Sequence, residues 1–136
     1  MQSAKTKWLA YTVLVGLIPI CSRLLVWLVT NEGSLEPFAP QDFIAFGLVL
    51  HISNINEIEH LVSADRAWKT TQNTVSAFFI AIHGVLFCST LIGGDAINQQ
   101  AIMYCVAVIA LVSLAISYSL FTRISKIQMD HPERVP

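Results

Sequence analysis

Apolar and polar positions divide the chain into four long segments joined by polar connections. Trp8 to Val29, Thr74 to Ile92 and Ala101 to Phe121 are near-continuous apolar runs. Each has the length, roughly 20 residues, that a helix needs to cross a bilayer. The remaining segment, Asp42 to Val62, has the same length but carries Asp42, His51, Ser53, Asn54, Asn56, Glu57, Glu59 and His60. Its uninterrupted apolar core is only Phe43 to Leu50, so apolarity alone leaves it between a true crossing and an amphipathic or re-entrant piece.

Charge placement decides in favour of a crossing. With four spans, both termini and the 63–73 connection share one side, which holds Lys5, Lys7, Arg66, Lys69, Arg123, Lys126 and Arg134. The other side holds only Glu32, Glu36, Asp42 and Asp95. Basic loop residues stay cytoplasmic, so the sequence predicts an all-α four-helix transmembrane bundle, N-in and C-in. The expected spans are 8–29, 42–62, 74–92 and 101–121, with a short cytoplasmic tail over 122–136. Trp8, Tyr11 and Trp27 mark the two interfaces of the first span, and Pro19 is expected to kink it. Asp42 is a fair N-cap for the second helix, just after Pro40.

Composition agrees. Of 136 residues, 54% are hydrophobic and 12% charged, against about 25% charged in soluble domains. One membrane bundle uses nearly every residue. Cys21, Cys88 and Cys105 lie in apolar runs without CxxC spacing and read as small buried hydrophobes. Lys5 and Lys7 before an apolar run imitate a signal peptide. The run continues past Cys21 and bulky Ile20 precedes that cysteine, so the segment is expected to be retained. The expected location is a plasma membrane, the bacterial inner membrane, as a multi-pass protein.

At about 100° per residue the second helix is two-sided. Ile44, Leu48, Ile55, Ile58 and Val62 share a face with His51. Asp42, Ser53, Asn56, Glu57 and His60 lie opposite, with Asn54 at the edge of that group. The stripe Ser53, Asn54, Asn56, Glu57 and His60 is expected to line a pore or vestibule in an oligomer, to form a seam for a partner, or simply to bond neighbouring helices. Ala77, Ala81, Gly84 and Cys88 form a small-residue stripe on the third helix, and Ser113 and Ser117 a similar one on the fourth; both suit close helix packing. The two serines can also bond their own backbone, which removes the need for a functional role.

Three intramembrane ionisable groups remain. His51 and His83 both lie about 14 Å from the outer ends of their helices. Antiparallel neighbours would bring them level, either as hydrogen-bonded core imidazoles, as proton-handling groups, or as ligands of a b-type haem with Arg23 near a propionate. Arg23, about 9 Å from the outer end of its helix, is expected to pair with Asp42. Glu57 and His60 are an i, i+3 pair without a second Glu-x-x-His, so no metal site is expected. No nucleophile elbow, P-loop, His-Glu-x-x-His or dinucleotide fingerprint occurs. The expectation is therefore a non-enzymatic membrane protein without a catalytic residue or cofactor, partnered by lipid and by copies of itself, with a further membrane or cytoplasmic protein partner as an alternative. Nucleic acid is not indicated. The basic rim of Arg66, Lys69, Arg123 and Lys126 reads as a topology signal and an anchor for anionic lipid. In build alone, the chain is similar to membrane components of bacterial defence and toxin-immunity systems.

Overall fold

The computed structural model describes residues 4–62 and 64–130; Ser63 and residues 131–136, including Arg134, lie outside the described residues. Helix α1 (Ala4–Trp8) continues through a π-type turn, Leu9–Val13, into α2 (Leu14–Val29). Helices α3 (Pro40–His60), α4 (Arg66–Thr90) and α5 (Gln99–Asp130) follow, with one 3-10 turn, Gly94–Ala96, before α5. Among the described residues there is no strand. Three helical rods, Thr6–Val29, Arg66–Thr90 and Gln99–Asp130, are long and apolar enough to cross a membrane. The expectation of four such helices is corrected here. The length of α3 is sufficient, but its nine polar residues keep it out of that class.

The helices also outrun the expected spans, for local reasons. Helix α4 starts at Arg66 because the Asp65 carboxylate accepts the Trp68 N–H at 3.1 Å and caps it. The polar residues that follow fit a helix because Thr70, Thr71 and Thr74 donate their hydroxyls to carbonyls four residues back. Helix α5 runs on to Asp130 because Phe121, Ile124 and Ser125 remain buried beyond the expected end. Asp42 is not the cap of α3: Ala39 holds that position, Pro40 begins the helix, and Asp42 sits in the first turn. Pro19 lies inside α2 without ending it.

Helix α3 is the middle of the structure. It packs against α2, α4 and α5, whereas α2 and α4 do not touch. Seven of its residues are buried, Ile44, Phe46, Gly47, Leu50, His51, Asn54 and Ile58, while α2 buries Gly16 alone. One core cluster joins Leu50 and Ile58 of α3 to Trp8 of α1 and to Phe121 and Ile124 of α5. Trp8 stacks on Phe121 with ring centroids 4.8 Å apart. A smaller cluster near the start of α3 joins Ile44 to Ile102 and Val106. The outward surface is apolar: Leu25 and Leu28 of α2, Phe78 and Val85 of α4 and Leu111 of α5 are each more than 60% exposed. Large apolar side chains turned outward on all three apolar helices are what a hydrocarbon surround favours.

One close approach sets the spacing of α3 and α4. A methyl group on Gly47 would lie 1.9 Å from Nε2 of His83, far inside van der Waals contact. Gly47→Ala is therefore expected to destabilise the protein by about 1–3 kcal/mol through overpacking. Thermal unfolding in detergent measures this. In a His83→Ala background the same substitution should cost little, and an unchanged midpoint for Gly47→Ala alone would show that the two helices are not so closely packed.

Candidate functional site: a buried polar seam on the central helix

The polar residues of α3 point in three directions. His51 and Asn54, one turn apart, face inward and have no solvent exposure. His51 Nε2 is 2.9 Å from Ser113 Oγ, and Asn54 Nδ2 donates to Ser117 Oγ at 2.8 Å. Both serines belong to α5 and are themselves fully buried. Two matched steps along two helices make α3 and α5 parallel neighbours tied by a polar seam. Ser113 and Ser117 thus reach across to α3. Asn54 belongs with His51, not with the Ser53 stripe.

The rest of that stripe is divided. Ser53 turns toward the π-type turn and meets Thr12 Oγ1 at 3.0 Å. Asn56 and His60 are exposed and Glu57 is half-buried. His60 is engaged by its own helix, with Nδ1 2.7 Å from the Asn56 carbonyl; since a carbonyl only accepts, Nδ1 donates. Glu59 accepts from the Asn73 side chain, and Lys69 donates to the Glu59 and Leu61 carbonyls at 3.2 Å each. The end of α3 is thereby capped from α4.

His51 and His83 do come together. Their ring centroids are 5.9 Å apart at 55°, and both rings are fully buried. His51 also lies flat against Phe79 at 4.9 Å. His83 Nδ1 donates to the Phe79 carbonyl at 2.7 Å. In a neutral ring this leaves the lone pair on Nε2, which rests against Gly47. No hydrogen bond joins the two imidazoles. His51 Nδ1, His83 Nε2 and Asn54 Oδ1 are buried without a partner among the described residues. Such atoms carry a desolvation cost of about 1–3 kcal/mol each, so the seam is only partly satisfied.

The arrangement was tested against haem. Iron held between two imidazoles needs a nitrogen of each aimed at one point, and a gap of porphyrin width between the rings. Here His51 Nε2 is taken by Ser113 and His83 Nε2 lies on the Gly47 backbone. Arg23, the residue proposed for a propionate, is paired with Asp42 in the first turn of α3. These residues as arranged do not fit haem. Among the described residues, no group of three His, Cys, Asp or Glu side chains could hold a metal ion.

The small-residue stripe of α4 lies away from the core. Ala77, Ala81, Gly84 and Cys88 are all exposed, and α4 packs through the face carrying Ser76 and His83. A methyl on Gly84 would meet nothing within 4 Å. Cys21 and Cys105 are likewise exposed, which corrects the reading of the three cysteines as buried: they lie on outward helix faces, not in the core.

Thr12, Gly47 and Asn73 were not singled out from the sequence. Gly47 carried a usable signal, as a residue without a side chain one turn from His51 and therefore level with His83. The others follow from packing that a single sequence does not specify. Comparison with protein-family models, with curated proteins and with solved structures gave no match for the chain.

The Asn54–Ser117 bond has a measurable coupling. A double-mutant cycle of Asn54→Ala and Ser117→Ala, read by unfolding in detergent, should give about 0.6 kcal/mol and at most ~1.7. Strict additivity would mean that the bond does not hold α3 to α5.

Proposed function

We propose that the chain is a four-crossing protein of the bacterial inner membrane, N-in and C-in, acting as a non-enzymatic oligomeric subunit of sensor/effector or channel-like kind. The observation that carries the reading is the unpacked stripe Ala77, Ala81, Gly84 and Cys88 on α4. In lipid, small residues let helix backbones approach and gain dispersion contacts that lipid tails do not supply. Beside it, α3 is left uncovered where α2 and α4 fail to meet, exposing Ile52 and Asn56. A second helix laid there covers both.

The polar residues favour the sensor/effector form. His51 and Asn54 are engaged inside the bundle. The outward polar groups sit at the two ends of α3, Gln41 at its start and Asn56, Glu59 and His60 at its close. An oligomer built on this edge has a polar vestibule at the basic end and an apolar middle around Ala45, Leu48 and Ile52. The same edge also suits a different membrane protein, as in the docking or toxin-immunity role that the build resembles.

Disulfide trapping in native membranes tests the association. With Cys21→Ser and Cys105→Ser in place, oxidation should link Cys88 to Cys88 of a second copy. Gly84→Leu, which meets open space in the single chain, should weaken association by about tenfold or more without changing the fold. A protein that stays monomeric, or a Gly84→Leu variant that associates as well as the wild type, would refute the oligomer. Trapping of a different protein at Cys88 would move the assignment to docking.

A further inference from the structure

The two long helices α4 and α5 separate at the basic end of the bundle and leave a cleft of about 400 Å³. Trp68 and Gln72 of α4 face Ala115, Ile116, Ser119 and Arg123 of α5 across it. A second cleft of about 450 Å³, lined by α5 alone, shares Ser119 and Arg123 and adds Tyr118, Thr122 and Lys126. The guanidinium of Arg123 lies 5.1 Å from the centre of the Trp68 ring. Neither Arg123 nor Lys126 has a carboxylate within ion-pair distance; among the described residues, Arg23–Asp42 is the sole such pair. Lys69, the nearest other cation on α4, is committed to the end of α3.

The clefts grade from charge to hydrocarbon along α5. Arg123 and Lys126 stand at the outermost turns, Ser119 one turn deeper, and Ala115 and Ile116 one turn deeper again. We infer that this is a binding site for one phospholipid with an anionic headgroup. The phosphate lies between Arg123 and Lys126, within reach of the Ser119 hydroxyl, and an acyl chain follows Ala115 and Ile116 between the helices. Three features distinguish this from a diffuse basic rim. The cations are unpaired, the arginine plane is held by stacking on an indole, and the groove continues into apolar surface deeper in the bundle. A planar guanidinium suits phosphate because it donates two parallel hydrogen bonds.

Native mass spectrometry of the full chain, released from detergent containing phosphatidylglycerol or phosphatidylcholine, or from detergent with inorganic phosphate alone, tests the site. Phosphatidylglycerol should be retained about tenfold better than phosphatidylcholine. The Arg123→Gln/Lys126→Gln variant should lose about thirtyfold in retention, in line with the usual worth of two basic residues near an anionic surface. Ser119→Leu, at an exposed position, fills the groove without changing charge and should lose retention as well. Lys7→Gln, which removes a charge elsewhere at the same end, should have no effect, and Arg123→Lys should keep part of the binding, separating loss of the fork from loss of fold. Equal retention of the two lipids would overturn the site. So would full retention in Ser119→Leu, a Lys7→Gln loss as large as that of the double variant, or inorganic phosphate binding as tightly as lipid.

Discussion

A helix that carries an asparagine and a histidine on its inner face is stable in hydrocarbon only when other helices shelter those groups. That requirement organises this protein. Asn54 and His51 are buried against α5 and answered by two serines set one turn apart. The neighbours follow from it: α4 covers the histidine side with Phe79 and His83, and α2 closes the start of α3 through the Arg23–Asp42 pair. A lone charge at mid-span costs about 2.5–3.5 kcal/mol on the insertion scale, and pairing two charges between adjacent helices removes the need to expose either. The hydrogen bonds themselves contribute little net stability, about 0.6 kcal/mol each in comparable settings. Their larger effect is on register, because sliding α3 along α5 would leave four more buried polar atoms without partners.

Sheltering is incomplete on one side, and that shapes the reading of function. Since α2 and α4 do not meet, an edge of α3 faces outward with Ile52 in the middle and Asn56 and Glu59 near its end. The small residues of α4 flank that edge. The protein thus turns its polarity inward, keeps a lipid-compatible surface elsewhere, and leaves one edge shaped for another helix. At the basic end, the divergence of α4 and α5 forms an amphipathic groove with two unpaired cations. The proposed association edge and the proposed lipid groove occupy different faces, so substitutions at Gly84 and at Arg123 are separable.

The apolar runs made the three bilayer-compatible helices legible, and charge spacing made Arg23–Asp42 legible, because both signals are strong and local. The meeting of His51 and His83 followed from counting depth along neighbouring helices. Helix ends were harder. The stretch 63–73 looks like a loop by composition, but from Arg66 onward it is helix, started by the Asp65 cap and continued by threonine hydroxyls bonded four residues back. The direction of Asn54 was not legible either. Its position at the boundary between two faces depends on which neighbour offers a hydroxyl, and that comes from α5. Likewise, the α4 stripe reads as a packing face on spacing alone, whereas the chain packs the opposite side because His83 requires Gly47. A small stripe says that a helix can be approached closely, not which helix approaches.

The central claim is that α3 crosses the bilayer despite its polarity, sheltered by its neighbours. Cysteine labelling tests it directly. In a background with Cys21, Cys88 and Cys105 replaced by serine, Ser34→Cys and Val62→Cys place single thiols at exposed positions just beyond the two ends of α3. A membrane-impermeant maleimide should label Ser34→Cys from outside and Val62→Cys only after the membrane is opened. Labelling of both from the same side would contradict the crossing.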